Sequence, residues 1–215
     1  MSPAEMLEQL AADEMRATLY SAIIGREIIV LDQTSSTNDA ILKIATPNSS
    51  EGLVLFAEHQ TAGRGQRGNR WESATGKGLW FSILLRPGIE INRSSQLTAW
   101  VVETISEAIE NEFPLTTTIK LPNDVQIDGR KVAGVLVEMR AHKKAPHSAI
   151  VGIGINMNQA LEDFPKELQS RAISLAIALD RQVDRQNFAI VLLRNLDRSY
   201  RERFGGGSTA PVGRC

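Results

Sequence analysis

Asp128-Gly129 stands between two apolar runs and limits the fold of this chain more than any other pair of residues. Tight two-residue hairpin turns need positive φ at both central positions, which Asp-Gly tolerates and most pairs do not. Asp124 to Val137 therefore reads as a β-hairpin, and at least part of the sheet must be antiparallel. Around it, Ile28–Leu31, Leu53–Glu58, Leu79–Leu85 and Ala149–Ile155 have the β-branched, apolar character of strands. Leu97, Val101, Ile105 and Ile109 form a helical stripe, as do Phe188, Leu192, Leu196, Tyr200 and Phe204 in a helix beginning near Asp184. Residues 4–24 read as an amphipathic helix, and Ala40–Ala45 as a helix behind a Ser36/Asp39 capping box. Helix, strands, helix, strands, helices is the order of an α+β domain, a sheet packed with helices, rather than of an alternating doubly wound fold.

Residues 1–204 are expected to form one domain, with 205–215 a flexible glycine-rich tail. The net charge of −1 excludes a global basic field for nucleic acid or anionic lipid. No apolar run approaches the ~20 residues needed to cross a bilayer, and acidic residues at Glu5, Glu8, Asp13 and Glu14 argue against a secretory leader. The single cysteine, Cys215, allows no intrachain disulfide, so a cytoplasmic location is expected.

Four segments carry candidate chemistry. Gly63-Arg64-Gly65-Gln66-Arg67-Gly68 is a literal G-x-G-x-x-G, but Trp71, Gly76 and Gly78 follow where a dinucleotide fold needs a helix. It is not a P-loop either, because Asn69 follows instead of Lys-Ser/Thr. Its glycines free backbone N–H groups to close on an anion, and Arg64, Arg67 and Arg70 add charged donors for phosphate or carboxylate. A mobile basic surface loop is the plainer alternative, and it explains poorly the large apolar Trp71 at the loop's end.

In Lys120-Leu121-Pro122-Asn123-Asp124, Pro122 marks where a strand begins, and Asp124 is an oxygen ligand suited to magnesium on a nucleotide. Lys131 leads into an apolar strand, where lysines often simply extend to solvent. Gly134 inside that strand suggests close approach of a ligand or another backbone. In Gly152-Ile153-Gly154-Ile155-Asn156 the alternate glycines leave one strand face bare, a slot for a flat ligand or for a close helix contact. Ser36-Thr37-Asn38 suits either a polar ligand at a helix N-terminus or ordinary capping. No Cys/His cluster, H-E-x-x-H or G-x-S-x-G is present, and His59, His142 and His147 are scattered.

Ser36-Thr37-Asn38, Gln60 through Trp71, Lys120 through Glu138 with its Gly129-Arg130-Lys131-Val132-Ala133-Gly134 core, and Gly152 through Asn158 together resemble the biotin protein ligase family. The likeness covers roughly residues 25 to 204. It implies a mixed-sheet fold and an activity in which ATP converts biotin to biotinyl-AMP, followed by transfer to a lysine of a biotin carboxyl carrier protein. It also implies that Ser36, Thr37, Asn38, Gln60, Arg64, Gly65, Gln66, Lys131, Gly134, Gly152 and Gly154 bind biotin. Arg67, Trp71, Asn123, Asp124 and Asn156 would serve the nucleotide, Asp124 its magnesium (Mg2+), and Lys131, Arg64 and Arg67 catalysis.

The family often has Trp where Leu121 stands and a third arginine where Gln66 stands. It commonly adds a C-terminal β-barrel, and some members an N-terminal helix-turn-helix domain. Neither is expected here, so no DNA binding is expected, while a homodimer through the sheet edge is compatible with the resemblance. Two alternatives stay open: lipoate or octanoate transfer on the same fold, and a biotin-binding regulatory module with weakened catalysis.

Overall fold

The computed structural model of the 215-residue chain describes residues 9–20, 23–45, 49–142 and 147–205. All of the expected tail at 205–215 except Gly205, including Cys215, and the first part of the expected N-terminal helix lie outside the described residues.

The strands are β1 Ile28–Thr34, β2 Val54–Gln60, β3 Gly78–Leu85, β4 Thr118–Lys120, β5 Asp124–Ile127, β6 Arg130–Arg140 and β7 Ser148–Asn156. Among the described residues they form one sheet in the order β1-β2-β3-β7-β6-β5-β4. Only β1 and β2 run parallel, joined through helix α2 (Thr37–Ile44); every other pairing is antiparallel. The mixed α+β sheet is therefore the one expected. β5 and β6 meet at Asp128 and Gly129, with φ of 50° and 72°, the turn that the Asp-Gly pair predicts.

Side-chain alternation along the strands divides the sheet into two faces. Phe56, Phe81, Ile83, Val101, Ile105 and Leu192 belong to the main core, built with helices α1 (Ala12–Leu19), α3 (Ser94–Glu112) and α5 (Arg185–Phe204). A second, smaller cluster of Leu55, Leu84, Ile150 and Ile41 seats α2 on the other face. Both faces of the middle strands are covered, so β3 and β7 are buried at every position. The α3 and α5 stripes fall where the periodicity predicts, and the Asp184 carboxylate caps α5 by accepting from Asn187 N–H at 2.9 Å. Near the C-terminal end of α5, the buried Tyr200 hydrogen-bonds Glu51, and burial pushes the phenol's pKa well above its ordinary value.

Three elements differ from expectation. Helix α1 is shorter than residues 4–24: it ends at Tyr20, which is left-handed, and the Ile23 and Ile24 amides then donate to Asp197 on α5. Strand β4 has no apolar alternation to announce it, being exposed at all three residues. The five-residue helix α4, Leu175–Leu179, is too short for a periodic signal and is set by Ser174, whose hydroxyl accepts from Ile177 N–H.

Candidate active site

The site lies on the α2 face of the sheet, where the start of α2, the end of β2, the glycine-bearing stretches of β6 and β7 and the loop after β2 converge. Ser36 is the N-cap residue of α2, yet its side chain makes no capping hydrogen bond, and Asp39 does not complete a capping box. The Thr37 N–H donates instead to Gln60 Oε1 at 2.9 Å, and Gln60 Nε2 donates to Ser73 Oγ at 3.1 Å. Gln60 thus caps the helix from the next strand. Ser36, Thr37 and Asn38, all nearly buried, line the cleft, the Thr37 hydroxyl itself donating to Gln60 Oε1 at 3.2 Å and lying 2.8 Å from Ser82 Oγ. Ordinary capping does not explain Ser36-Thr37-Asn38.

The glycines form the floor. Gly134 pairs directly with Gly154, and Leu136 with Gly152, so both β7 glycines point their missing side chains to the same face. A Cβ added at Gly152 would lie 2.3 Å from Asn38 Oδ1. One at Gly154 would lie 2.5 Å from Trp71 Cε2, and one at Gly134 would lie 2.8 Å from both Trp71 and Lys131 Nζ. The bare strand face is thus covered by the cleft's own polar and aromatic side chains. Gly152→Ala is expected to displace Asn38 and weaken ligand binding at least tenfold by titration calorimetry, with β7 intact. Unchanged affinity would remove the close approach as the reason for glycine there.

The loop from Gly63 to Trp71 is folded, not a free basic loop. Arg64 and Arg70 form an isolated bridge, Gly65 N–H donates to Asn69 O at 2.7 Å, and Trp71 N–H donates to Gly63 O at 2.9 Å. The reversal uses left-handed backbone at Arg67 (φ 58°) and Gly68 (φ 79°). Arg64 is turned onto two carboxylates, Asp39 at 2.9 Å and Glu138 at 2.8 Å. Trp71 lies over the glycine floor edge-on to Trp80, 5.9 Å between ring centroids, with Lys131 Nζ 5.0 Å from its own ring.

Lys131 does not extend freely to solvent. Its backbone is clamped by Arg171 O and Ile173 N, and its Nζ reaches Asp124 Oδ1 at 2.6 Å. That contact is an ion pair; Asp124 Oδ1 accepts no well-aligned hydrogen bond. Asn156 supports Lys131 from beneath, donating to Lys131 O and Ile173 O at 3.3 and 3.1 Å, while its own Oδ1 accepts from Gln159. Asn123 is tied to β6 by a reciprocal pair of bonds with Val135.

Of the residues singled out from sequence, Ser36, Thr37, Asn38, Gln60, Arg64, Gly65, Trp71, Asn123, Lys131, Gly134, Gly152 and Gly154 line one cleft. Asp124 joins it through Lys131. Gln66, Arg67 and Asn156 do not line it: Arg67 is exposed on the loop's tip, and Asn156 is committed to backbone behind Lys131. Leu121 is 78% exposed and also stands outside the cleft. Sequence reasoning missed Ser82, which donates to Asn38 Oδ1 at 2.6 Å, and the acidic partners Asp39 and Glu138. Even spacing along β3 and β6 would have pointed to Ser82 and Glu138, because each shares a face with the glycines.

A mixed sheet whose glycine-floored cleft gathers a lysine, an arginine and the polar N-terminus of a helix has the concave form, with a few convergent polar groups, of a small-molecule site. Comparison with known proteins agrees with that geometry. Residues 30–156 match the biotin/lipoate A/B protein ligase family. The bifunctional ligase/repressor BirA of Bacillus subtilis is 37% identical over 201 residues, covering 94% of this chain and 62% of that protein. The biotin–[acetyl-CoA-carboxylase] ligase of Mycobacterium tuberculosis is 35% identical over 193 residues, 85% of this chain and 68% of its own length. In structure, the biotin protein ligase of Aquifex aeolicus, solved in complex with biotin and ATP, superposes with a TM-score of 0.73 at 34% identity, covering 84% of this chain and 73% of that one. The chain belongs to the biotin/lipoate A/B protein ligase family. It spans 62% of the length of the Bacillus relatives it matches. Among the described residues no helix is long and apolar enough to cross a membrane.

Proposed function

We propose that this chain is an ATP-dependent biotin–protein ligase that forms biotinyl-AMP and transfers biotin to a lysine of a carboxylase's biotin carboxyl carrier protein. The observation that carries this most is the meeting of Lys131 and Arg64 over a floor of Gly134, Gly152 and Gly154, with Asn38 and Gln60 at one end. Two anions, a carboxylate and the α-phosphate, must approach each other in such a reaction, and fixed cations offset their repulsion.

Ser36, Thr37, Asn38 and Gln60 supply the hydrogen-bonding end suited to biotin's ureido ring, and Gly65 and Gln66 lie on the loop beside it. Biotin's carboxylate oxygen attacks the α-phosphorus and pyrophosphate leaves. Lys131 stabilises charge on the transferring group, and the loop bearing Arg64 and Arg67 shields the anhydride from water. The carrier lysine then attacks the acyl carbon and AMP leaves. Trp71, Asn123 and Asn156 border the nucleotide side.

Asp124 is the carboxylate nearest Lys131, and among the described residues no group of three metal-ligating side chains exists. One protein carboxylate plus nucleotide phosphates is the usual environment of magnesium, so Asp124 would hold the ion that accompanies ATP. Strand β4, exposed and last in the sheet, is the edge at which we place a homodimer.

The test follows pyrophosphate release from labelled ATP with biotin, and separately the labelling of a carrier domain. Both activities are expected. Pyrophosphate without carrier labelling would favour a regulatory module, and neither activity, or activity with lipoate alone, would end the ligase assignment.

A further inference from the structure

Glu138 has no part in the chemistry just described, yet its carboxylate touches both halves of the cleft. Oε2 accepts from Asn38 Nδ2 at 2.7 Å and from Arg64 Nη2 at 2.8 Å. Its side chain is 21% exposed, against 41% for Arg64, so it is the better-anchored partner. The anchor is rigid: Glu138 lies on β6 opposite Ile150 of β7, two residues from the Leu136–Gly152 pair. Asp39, the other carboxylate on Arg64, stands on α2, and the second Glu138 oxygen, Oε1, pairs with Arg140 at 3.8 Å.

A carboxylate can only accept, and the Ser82 hydroxyl donates to Asn38 from the opposite side at 2.6 Å. These partners leave the nearly buried Asn38 amide one orientation, with Nδ2 toward Glu138 and Oδ1 over Gly152. Charge-assisted bonds of this kind are roughly twice as strong as neutral ones. The same oxygen also holds the base of the Gly63–Trp71 loop through Arg64.

We propose that Glu138 is a positioning residue whose single carboxylate oxygen ties the Asn38 amide and the Arg64 guanidinium into one unit, so that the ring-binding end of the cleft and the loop that covers the acyl-adenylate are set together. This rests on the ligase reading of the cleft. The two bonds make separable demands. Asn38 needs an acceptor, which an amide oxygen still supplies; Arg64 would lose the better-buried of its two counter-charges, keeping only Asp39 at 2.9 Å.

Glu138→Ala is therefore expected to raise the KM for biotin about tenfold or more and to speed loss of bound adenylate. Glu138→Gln is expected to return the biotin KM to within about threefold of the unmodified protein, while adenylate still escapes or hydrolyses about tenfold faster. In an Arg64→Ala background the Glu138→Gln change should add less than twofold to adenylate loss, because the group it acts through is gone. Thermal melting of each variant checks the fold, and biotin titration calorimetry gives a readout without turnover. Equal behaviour of the Gln and Ala variants in both readouts, or Gln indistinguishable from the unmodified protein in both, would overturn the coupling. Absence of adenylate from the unmodified protein would instead remove the ligase reading, and calorimetry with Glu138→Ala would then decide the Asn38 half alone.

Discussion

Lys131→Ala is expected to lower the rate of ATP–pyrophosphate exchange with biotin by roughly a hundredfold to a thousandfold, the ~3–4 kcal/mol typical of deleting one preorganised donor at developing charge. Several features of its surroundings make Lys131 the largest single loss. Its Nζ stands 2.6 Å from Asp124 and 5.0 Å from the Trp71 ring centroid, so the ammonium is held in place before any ligand arrives. Its backbone is gripped on both sides by the 171–173 segment, and Asn156 spends its amide on the same carbonyl. The side chain is 30% exposed, so truncation removes little core packing and the melting temperature should move by only a few degrees. Lys131→Arg keeps the charge, but the planar fork must replace an ammonium that, with the Trp71 ring, lies against Gly134 so closely that a Cβ there would meet each at 2.8 Å. It should recover a minor part of the exchange rate. An alanine variant within about threefold of the unmodified protein would take Lys131 out of the chemistry.

The sheet was legible because its signals are local. Asp128-Gly129 and the long apolar runs declare strands and a turn within a few residues, and the α5 stripe recurs at five positions, four residues apart. Strand β4 was not legible, since Thr118-Ile119-Lys120 is exposed on both faces and has no pattern to show. For the site, unusual residue types were the readable part: glycines inside strands and arginines among glycines. Partners were the unreadable part. Gln60 capping α2 and Glu138 reaching Asn38 join residues 23 and 100 positions apart, and such contacts are made by topology. Ser36 shows the consequence: its sequence fits a capping box, but a distant glutamine reaches the helix N-terminus and changes what the serine is for.

The second large effect concerns the ground beneath the site. Arg185 and Glu58 form an ion pair at 2.9 Å with side chains only 6% and 5% exposed. Arg185 also donates to Gly78 O at 3.0 Å, and Glu58 Oε1 accepts from Leu10 N–H at 2.8 Å. Four pieces of chain thus meet at one buried pair: the N-terminal segment, β2, the first residue of β3 and the start of α5. Because Glu58 is near the end of β2 and Gly78 begins β3, the pair fixes both ends from which the segment carrying Arg64 and Trp71 departs. Arg185→Met is expected to cost about 3–5 kcal/mol, the range for stranding a buried charge. At roughly 2–4 °C per kcal/mol in a domain of this size, the melting temperature should fall by roughly 6–20 °C. Replacing both partners with Met removes the stranded charge, although the Leu10 N–H then lacks its acceptor at a cost of ~1–3 kcal/mol. The double variant should therefore melt above Arg185→Met and below the unmodified protein. A single variant that melts within about 2 °C of the unmodified protein would mean that Glu58 finds another partner, and the pair would no longer account for how β2 and β3 hold the loop.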